Sequence, residues 1–133
     1  MSEQEGAGGP AIGSMVGLDL TVSNADEVRD FYAAVIGWTV TPVDMGEYSD
    51  YMMEQPGTGI PGGGICNLRG INAEQVSSQW IPYIQVANLT ASVAKSLELG
   101  GSIVNDRRAP GNEWPFVVIK DPSGAVIALM GPE

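Results

Sequence analysis

The sequence predicts an α+β fold in which one βαβββ unit is used twice. Three observations carry this: strands with period-two alternation, two helices with start and stop signals, and a fixed offset relating the two halves. The first strand is Met15 to Val22. Val16, Leu18, Leu20 and Val22 form one face, and Met15, Gly17, Asp19 and Thr21 the other. Asn24 then stands at a helix N-cap position, with Asp26 and Glu27 in the first turn. Val28, Phe31, Tyr32 and Val35 recur at helical spacing, and Gly37 ends the helix. Trp38 to Val43, Ser49 to Glu54 and Gly64 to Leu68 read as shorter strands, and glycine-rich Gly57 to Gly64 as a loop.

The pattern then restarts. Trp80 to Val86 alternates, with Ile81, Tyr83 and Gln85 on one face and Trp80, Pro82, Ile84 and Val86 on the other. Pro82 has no N–H to give a ladder, which confines it to an edge, a strand start or a bulge. Asn88 opens a helix carrying Leu89, Val93 and Leu97, and Gly100-Gly101 stops it. Strands follow at Ser102 to Asp106, Pro115 to Lys120 and Ala125 to Met130, the last two joined by the Asp121-Pro122-Ser123-Gly124 turn. An offset of 64 lays Val22-Ser23-Asn24 onto Val86-Ala87-Asn88. A two-unit repeat is too short for a solenoid, so the two units are expected to combine their sheets, with helices outside and a concave surface inside. The reading is one domain over residues 14–133, module one at 14–70 and module two at 78–132, preceded by a flexible tail at 1–13.

Composition narrows the function. The net charge of −10 argues against nucleic acid and anionic membrane as partners, since both need clustered Lys and Arg. The adjacent basic pair Arg107-Arg108 is flanked by Asp106 and Glu113. A single cysteine, Cys66, cannot form an internal disulfide, and the Gly-rich acidic first residues lack the order of a signal peptide, so a cytoplasmic location is expected. No apolar run approaches the ~20 residues of a membrane span. There is no histidine, which excludes Ser-His-Asp or Cys-His nucleophilic sites within the chain and leaves carboxylates such as Asp44, Glu47 and Glu54 as the metal donors available.

Three stretches carry a family resemblance: DEVRDFYAAVIGW, WIPYIQVANLTASVAKSLELGG and DPSGAVIALM. In order and spacing they resemble the vicinal oxygen chelate superfamily, which includes glyoxalase I, extradiol dioxygenases, methylmalonyl-CoA epimerase and bleomycin-binding resistance proteins. The resemblance covers roughly Val16 to Gly131. It implies a curved mixed sheet around a cavity, a homodimer, and metal ligands on the first and last strands of each module. Carried over by register, those ligand positions fall on Gly17, Ile81 and Ala128, with Cys66 taken for the last strand of module one. Gly, Ile and Ala offer no side-chain ligand, so neither a metal nor any other cofactor is expected, and metal-dependent glyoxalase or dioxygenase activity is not. The metal-free binding members are the nearer comparison.

Alternation independently selects a ligand-facing surface. The Val16-Leu18-Leu20-Val22 face must meet the helices, so Met15, Gly17, Asp19 and Thr21 face the concavity. Ile81, Tyr83 and Gln85 join them, with Val126, Ala128 and Met130, and Trp38, Tyr51, Met53, Trp114 and Phe116 are expected as walls. The leading expectation is a small apolar or aromatic ligand, bound for sequestration or resistance. An alternative is a metal-independent isomerase, hydrolase or lyase in which Asp19, desolvated and raised in pKa, works with its repeat mate Tyr83. A second alternative is a non-catalytic structural or regulatory protein whose side chains simply fill a core. For Asp19 an ordinary solvated or Arg-paired role stays open, and for Cys66 that of a small buried hydrophobe. Gly62-Gly63-Gly64 has no following helix or GK[ST], which suits close backbone approach better than phosphate binding. Arg107, Arg108 and Glu113 read as a solvated loop or as a gate.

Overall fold

An apolar sheet face needs cover, and each half of this chain supplies one helix to give it. The computed structural model describes residues 9–69, 78–108 and 114–133. Residues 1–8 of the expected tail, the end of module one at 70, and Glu113 lie outside them. The chain divides into two compact units: Gly17–Trp80, and a second made of the described residues up to Val16 and from Ile81 onward. The elements are β1 (Met15–Val22), α1 (Ala25–Ile36), β2 (Thr39–Asp44), β3 (Ser49–Glu54) and β4 (Pro61–Asn67). They are followed by β5 (Trp80–Gln85), α2 (Leu89–Glu98), β6 (Ser102–Arg107), β7 (Phe116–Lys120) and β8 (Val126–Met130). This is the expected α+β arrangement of two βαβββ modules.

In module one the strand order is β2-β3-β4-β1, with β1 parallel to β4 and the other neighbours antiparallel. α1 begins after Asn24, but the Asn24 side chain makes no capping bond; its amide instead donates to Glu27 Oε1 at 3.2 Å. Gly37 ends the helix in the left-handed region at φ +89°, a conformation that glycine reaches without strain. α1 covers a core of Leu20, Val22, Ala25, Tyr51, Met53 and Ile65, with Val28, Tyr32, Ala33, Trp38, Val40 and Trp80 packed around it. The Val/Leu face of β1 therefore meets the helix, as alternation requires. The glycine-rich segment departs from expectation: Pro61 to Gly64 are strand, not loop, because β3 pairs along it through a bulge at Met53/Glu54.

Module two repeats the plan in the order β5-β8-β7-β6, with β5 parallel to β8. Pro82 lies just ahead of Tyr83, where the recorded pairing with β8 begins, so its missing N–H removes no rung of that ladder. Here the asparagine does cap: Asn88 Oδ1 accepts from the Ala91 amide at 2.8 Å. α2 seals a core of Leu89, Val93, Val117 and Ile119, backed by Val86, Ile127 and Leu129. The Asp121 to Gly124 turn closes with the Gly124 amide donating to the Asp121 carbonyl at 2.9 Å, while Asp121 Oδ1 accepts from Ser123. Those bonds hold the Asp121 carboxyl below its ordinary range.

Leu89 is fully buried and Leu99, just past the same helix, is 65% exposed. Leu89→Ala is expected to lower unfolding free energy by about 2–5 kcal/mol in urea titrations, against about 0.5 kcal/mol or less for Leu99→Ala.

Candidate functional site

Each module leaves one sheet face turned away from its helix, and the candidate site is built on these faces. In module one the β1–β4 register sets Asp19 beside Gly64 and Thr21 beside Cys66. Met52 of β3 pairs with Gly64, and Asp50, two residues back, shares its face. Thr21 and Asp50 are buried, while Asp19 and Cys66 are half-buried. Asp50 is the hub: its Oδ1 accepts from the Asn67 backbone N–H at 2.9 Å and from Asn67 Nδ2 at 3.1 Å. Burial pushes the Cys66 thiol well above its ordinary range, with the Asp19 and Asp50 charges and a hydrogen bond to Asp50 adding to the effect. A thiol so held is a donor and not a nucleophile.

The glycine run is explained by close approach. A Cβ on Gly64 would lie 2.5 Å from Asp19 Oδ1, and one on Gly63 would lie 3.1 Å from Trp80 Cζ3. A Cβ on Gly62 would meet Trp38 Nε1 at 2.6 Å. The Asp19 carboxylate thus occupies the space that a side chain at position 64 would need.

In module two the same construction gives different chemistry. Tyr83 pairs with Ala128, Ala128 with Val118, and Val118 with Asn105. The next row is Gln85, Met130, Phe116 and Arg107. Ile81, Tyr83, Val118 and Ala128 are buried, and the Tyr83 and Phe116 rings meet edge to face at 5.3 Å between centroids. Asn105 reaches this face through a register shift between Ile103 and Asn105; without it, Asn105 would share the helix side with Ile103. Its Nδ2 is buried with no hydrogen-bond partner among the described residues.

The structure thus brings together Asp19, Thr21 and Cys66 on one module's open face, and Ile81, Tyr83, Gln85, Phe116, Ala128 and Met130 on the other's. Four expected walls are corrected. Trp38, Tyr51 and Met53 belong to the helix-side core, because Tyr51 pairs with Ile65 and Met53 with Gly63. The Tyr51 hydroxyl donates to Asp26 Oδ1 at 2.6 Å, and that bond, helped by burial, raises its pKa. Met15 (61%) and Trp114 (69%) are exposed rather than walled in. Gly17 is half-buried on β1. The fourth inherited ligand position also moves. Tyr83 is the repeat mate of Asp19, and their partners Ala128 and Gly64 stand at the same offset, so the position matching Ala128 is Gly64 and not Cys66. Gly17, Gly64, Ile81 and Ala128 all lack a donor side chain, and no group of three or more His, Cys, Asp or Glu among the described residues is placed to hold a metal. The residues present do not fit the metal that the family resemblance implies.

A profile of the Glyoxalase-like domain family matches residues 15–130, and the chain belongs to that family. A Mycobacterium tuberculosis protein, CFP32, provisionally named a glyoxylase, is 25% identical over 120 residues. The match takes in 90% of this chain but 44% of CFP32, so the chain spans less than half the length of that relative. Methylmalonyl-CoA epimerase from Mycobacterium tuberculosis superposes with a TM-score of 0.55 at 17% identity, covering 93% of both chains. A Mn(II)-bound glyoxalase from Novosphingobium aromaticivorans gives 0.56 at 12% identity, covering 90% of this chain and 39% of its own. At such identities the two structures attest the fold alone. No described helix is long and apolar enough to cross a membrane.

Asp50, Asn67 and Asn105 were not anticipated. Alternation puts Asp50 on one face with Met52, but only the β3–β4 register says which face that is; the facing of Asn105 depends on a bulge.

Gly64→Ala is expected to destabilise by about 1–3 kcal/mol as Asp19 is displaced. That cost should shrink in an Asp19→Ala background, a coupling read from a double-mutant cycle of denaturation curves. Cys66 is expected to react slowly with a disulfide reagent until the protein unfolds. Because its folded pKa is raised, the thiol contributes stability that is present below the ordinary value of 9.0 and lost as pH rises beyond it. The melting temperature of Cys66→Ala should therefore fall less steeply at alkaline pH.

Proposed function

We propose that this protein is a glyoxalase-family binding protein that takes a small, largely apolar or aromatic molecule on its open sheet faces without a metal, for sequestration or resistance. One observation carries the reading: Gly17, Gly64, Ile81 and Ala128 occupy the inherited ligand positions, and the residues around the last two are aromatic and aliphatic. Apolar walls with a few polar groups are the usual make-up of a small-molecule site. The unpartnered Asn105 amide argues against a merely filled core, since a buried donor with no acceptor costs about 1–3 kcal/mol and a ligand oxygen or a water would relieve it. A cytoplasmic homodimer belongs to the same reading.

A second reading is favoured by one specific contact. Asp19 is held against Gly64, and a carboxylate fixed in this way can take or give a proton in a metal-independent isomerase, hydrolase or lyase. On any compound found to be turned over, Asp19→Asn should abolish turnover while binding survives.

The deciding experiment combines methyl NMR of the methionines with thermal shift across a panel of small aromatic compounds. Binding is expected to move the Met130 methyl resonance, leave that of Met45 in place, and raise the melting temperature with concentration. Mn²⁺, Ni²⁺ and Zn²⁺ are expected to leave the melting temperature unchanged. Stoichiometric stabilisation by a metal would overturn the reading, and silence across the panel would return the faces to the role of filled core.

A further inference from the structure

The unit Gly17–Trp80 carries a cavity on its helix side whose lining includes none of the candidate site residues. It measures about 420 Å³ and is lined among the described residues by Leu20 and Val22 of β1, Val28, Phe31 and Tyr32 of α1, and Trp80, with Asn24, Glu27 and Ser78 also lining it. That volume falls within the range of small-molecule sites.

Three of the lining residues are aromatic, and the structure fixes them. Tyr32 meets Phe31 edge-on at 5.1 Å between centroids and Trp80 at 5.3 Å. The Trp80 indole N–H donates to the Tyr32 hydroxyl at 3.1 Å, and the absence of a side chain at Gly63 makes room for the Trp80 ring. Phe31 remains 57% exposed, although a large apolar ring at the surface gains nothing from water. The charge beside these rings has one sign. Among the described residues Glu27 is the only charged one in the lining, and the Asn24 amide orients its carboxylate. The one cation of α1, Arg29, is committed elsewhere: it bonds Asp30 at 2.9 Å and lies over the Tyr51 ring at 4.7 Å.

Aromatic rings with a carboxylate and no competing cation form the arrangement that attracts an alkylated ammonium ion, through the ring quadrupoles and the acid together. We propose that this cavity binds small organic cations, substituted or quaternary ammonium groups with apolar substituents, as a site separate from the open sheet faces. A carboxylate ligand is disfavoured by Glu27, and a bare metal ion would leave the apolar floor of Leu20, Val22 and Val28 unused.

The test uses choline and its uncharged carbon isostere, 3,3-dimethyl-1-butanol, titrated into the full chain while the Trp80 indole N–H resonance is followed. Choline is expected to shift that resonance saturably, with the isostere bound about tenfold more weakly, the scale of a partly desolvated cation–π contact. Glu27 and Phe31 are both exposed, so Glu27→Gln and Phe31→Ala should keep the fold, checked by unchanged melting temperature. Each is expected to weaken choline by about three- to tenfold and leave the isostere's affinity nearly unchanged for Glu27→Gln. Equal affinity for choline and the isostere would overturn the proposal in favour of a plain apolar groove. No shift from choline at about 100 mM, far beyond the range of a specific contact, would overturn it outright.

Discussion

The parallel pairing of the first strand with the last strand of each module governs everything that follows from this fold. Parallel neighbours cannot be joined by a hairpin; the chain must leave the sheet and return, and here the helix and two antiparallel strands make that return. The helix then claims one face. In module one the claimed face is Leu20, Val22, Tyr51, Met53 and Ile65, and Asp19, Thr21, Met52 and Cys66 are left on the other by the period of two alone. The same pairing sets Asp19 against Gly64 and Tyr83 against Ala128, so the repeat symmetry of the sequence becomes a symmetry of position.

Symmetry of position does not bring symmetry of chemistry. The open face of module one is organised by a buried carboxylate: Asp50 accepts from the Asn67 backbone N–H and side-chain amide, the latter shared with the Ser49 carbonyl, and from the Cys66 thiol. That arrangement makes Cys66 unreactive, since low dielectric and negative neighbours both oppose a thiolate. Module two differs. Its rows of Tyr83, Ala128 and Val118 are buried, and Asn105 enters them through a bulge with its Nδ2 unpartnered among the described residues. A network completed in one half and an orphaned donor in the other are opposite solutions to the burial of polar atoms, and only the first is self-sufficient.

Much of the fold was legible because alternation and helix punctuation are local signals. β1 and β3 begin and end where the sequence places them, and both helices start after their asparagines and stop by their glycines. What was not legible depends on pairing. Alternation separates two faces of β3 but does not say which one meets the helix, so Tyr51 and Met53 were assigned to the wrong side until the Tyr51–Ile65 register fixed them. The glycine run reads as a loop by composition, yet Gly63 and Gly64 are strand residues whose missing side chains admit Trp80 and Asp19. Cys66, expected at the last-strand ligand position, stands two residues from Gly64, a shift that preserves the face and changes only the row, so alternation does not detect it. Asn24 and Asn88 occupy equivalent positions, but only Asn88 caps; Asn24 turns to Glu27 instead.

That last difference bears on the cavity of the Gly17–Trp80 unit. An N-cap side chain is drawn back over the helix start to reach the amides of the first turn. Asn88 does this at α2. Asn24 does not; its amide steadies the Glu27 carboxylate beside the cavity that Leu20, Val22, Phe31 and Trp80 line. The rings are in turn held by contacts inside that unit: Tyr32 orients Trp80, and Gly63 makes room for it. A forgone cap costs about 1 kcal/mol of helix stability. At α1 the Tyr51–Asp26 hydrogen bond and the Arg29–Tyr51 contact tie the first turns to β3 instead, and neither uses Glu27.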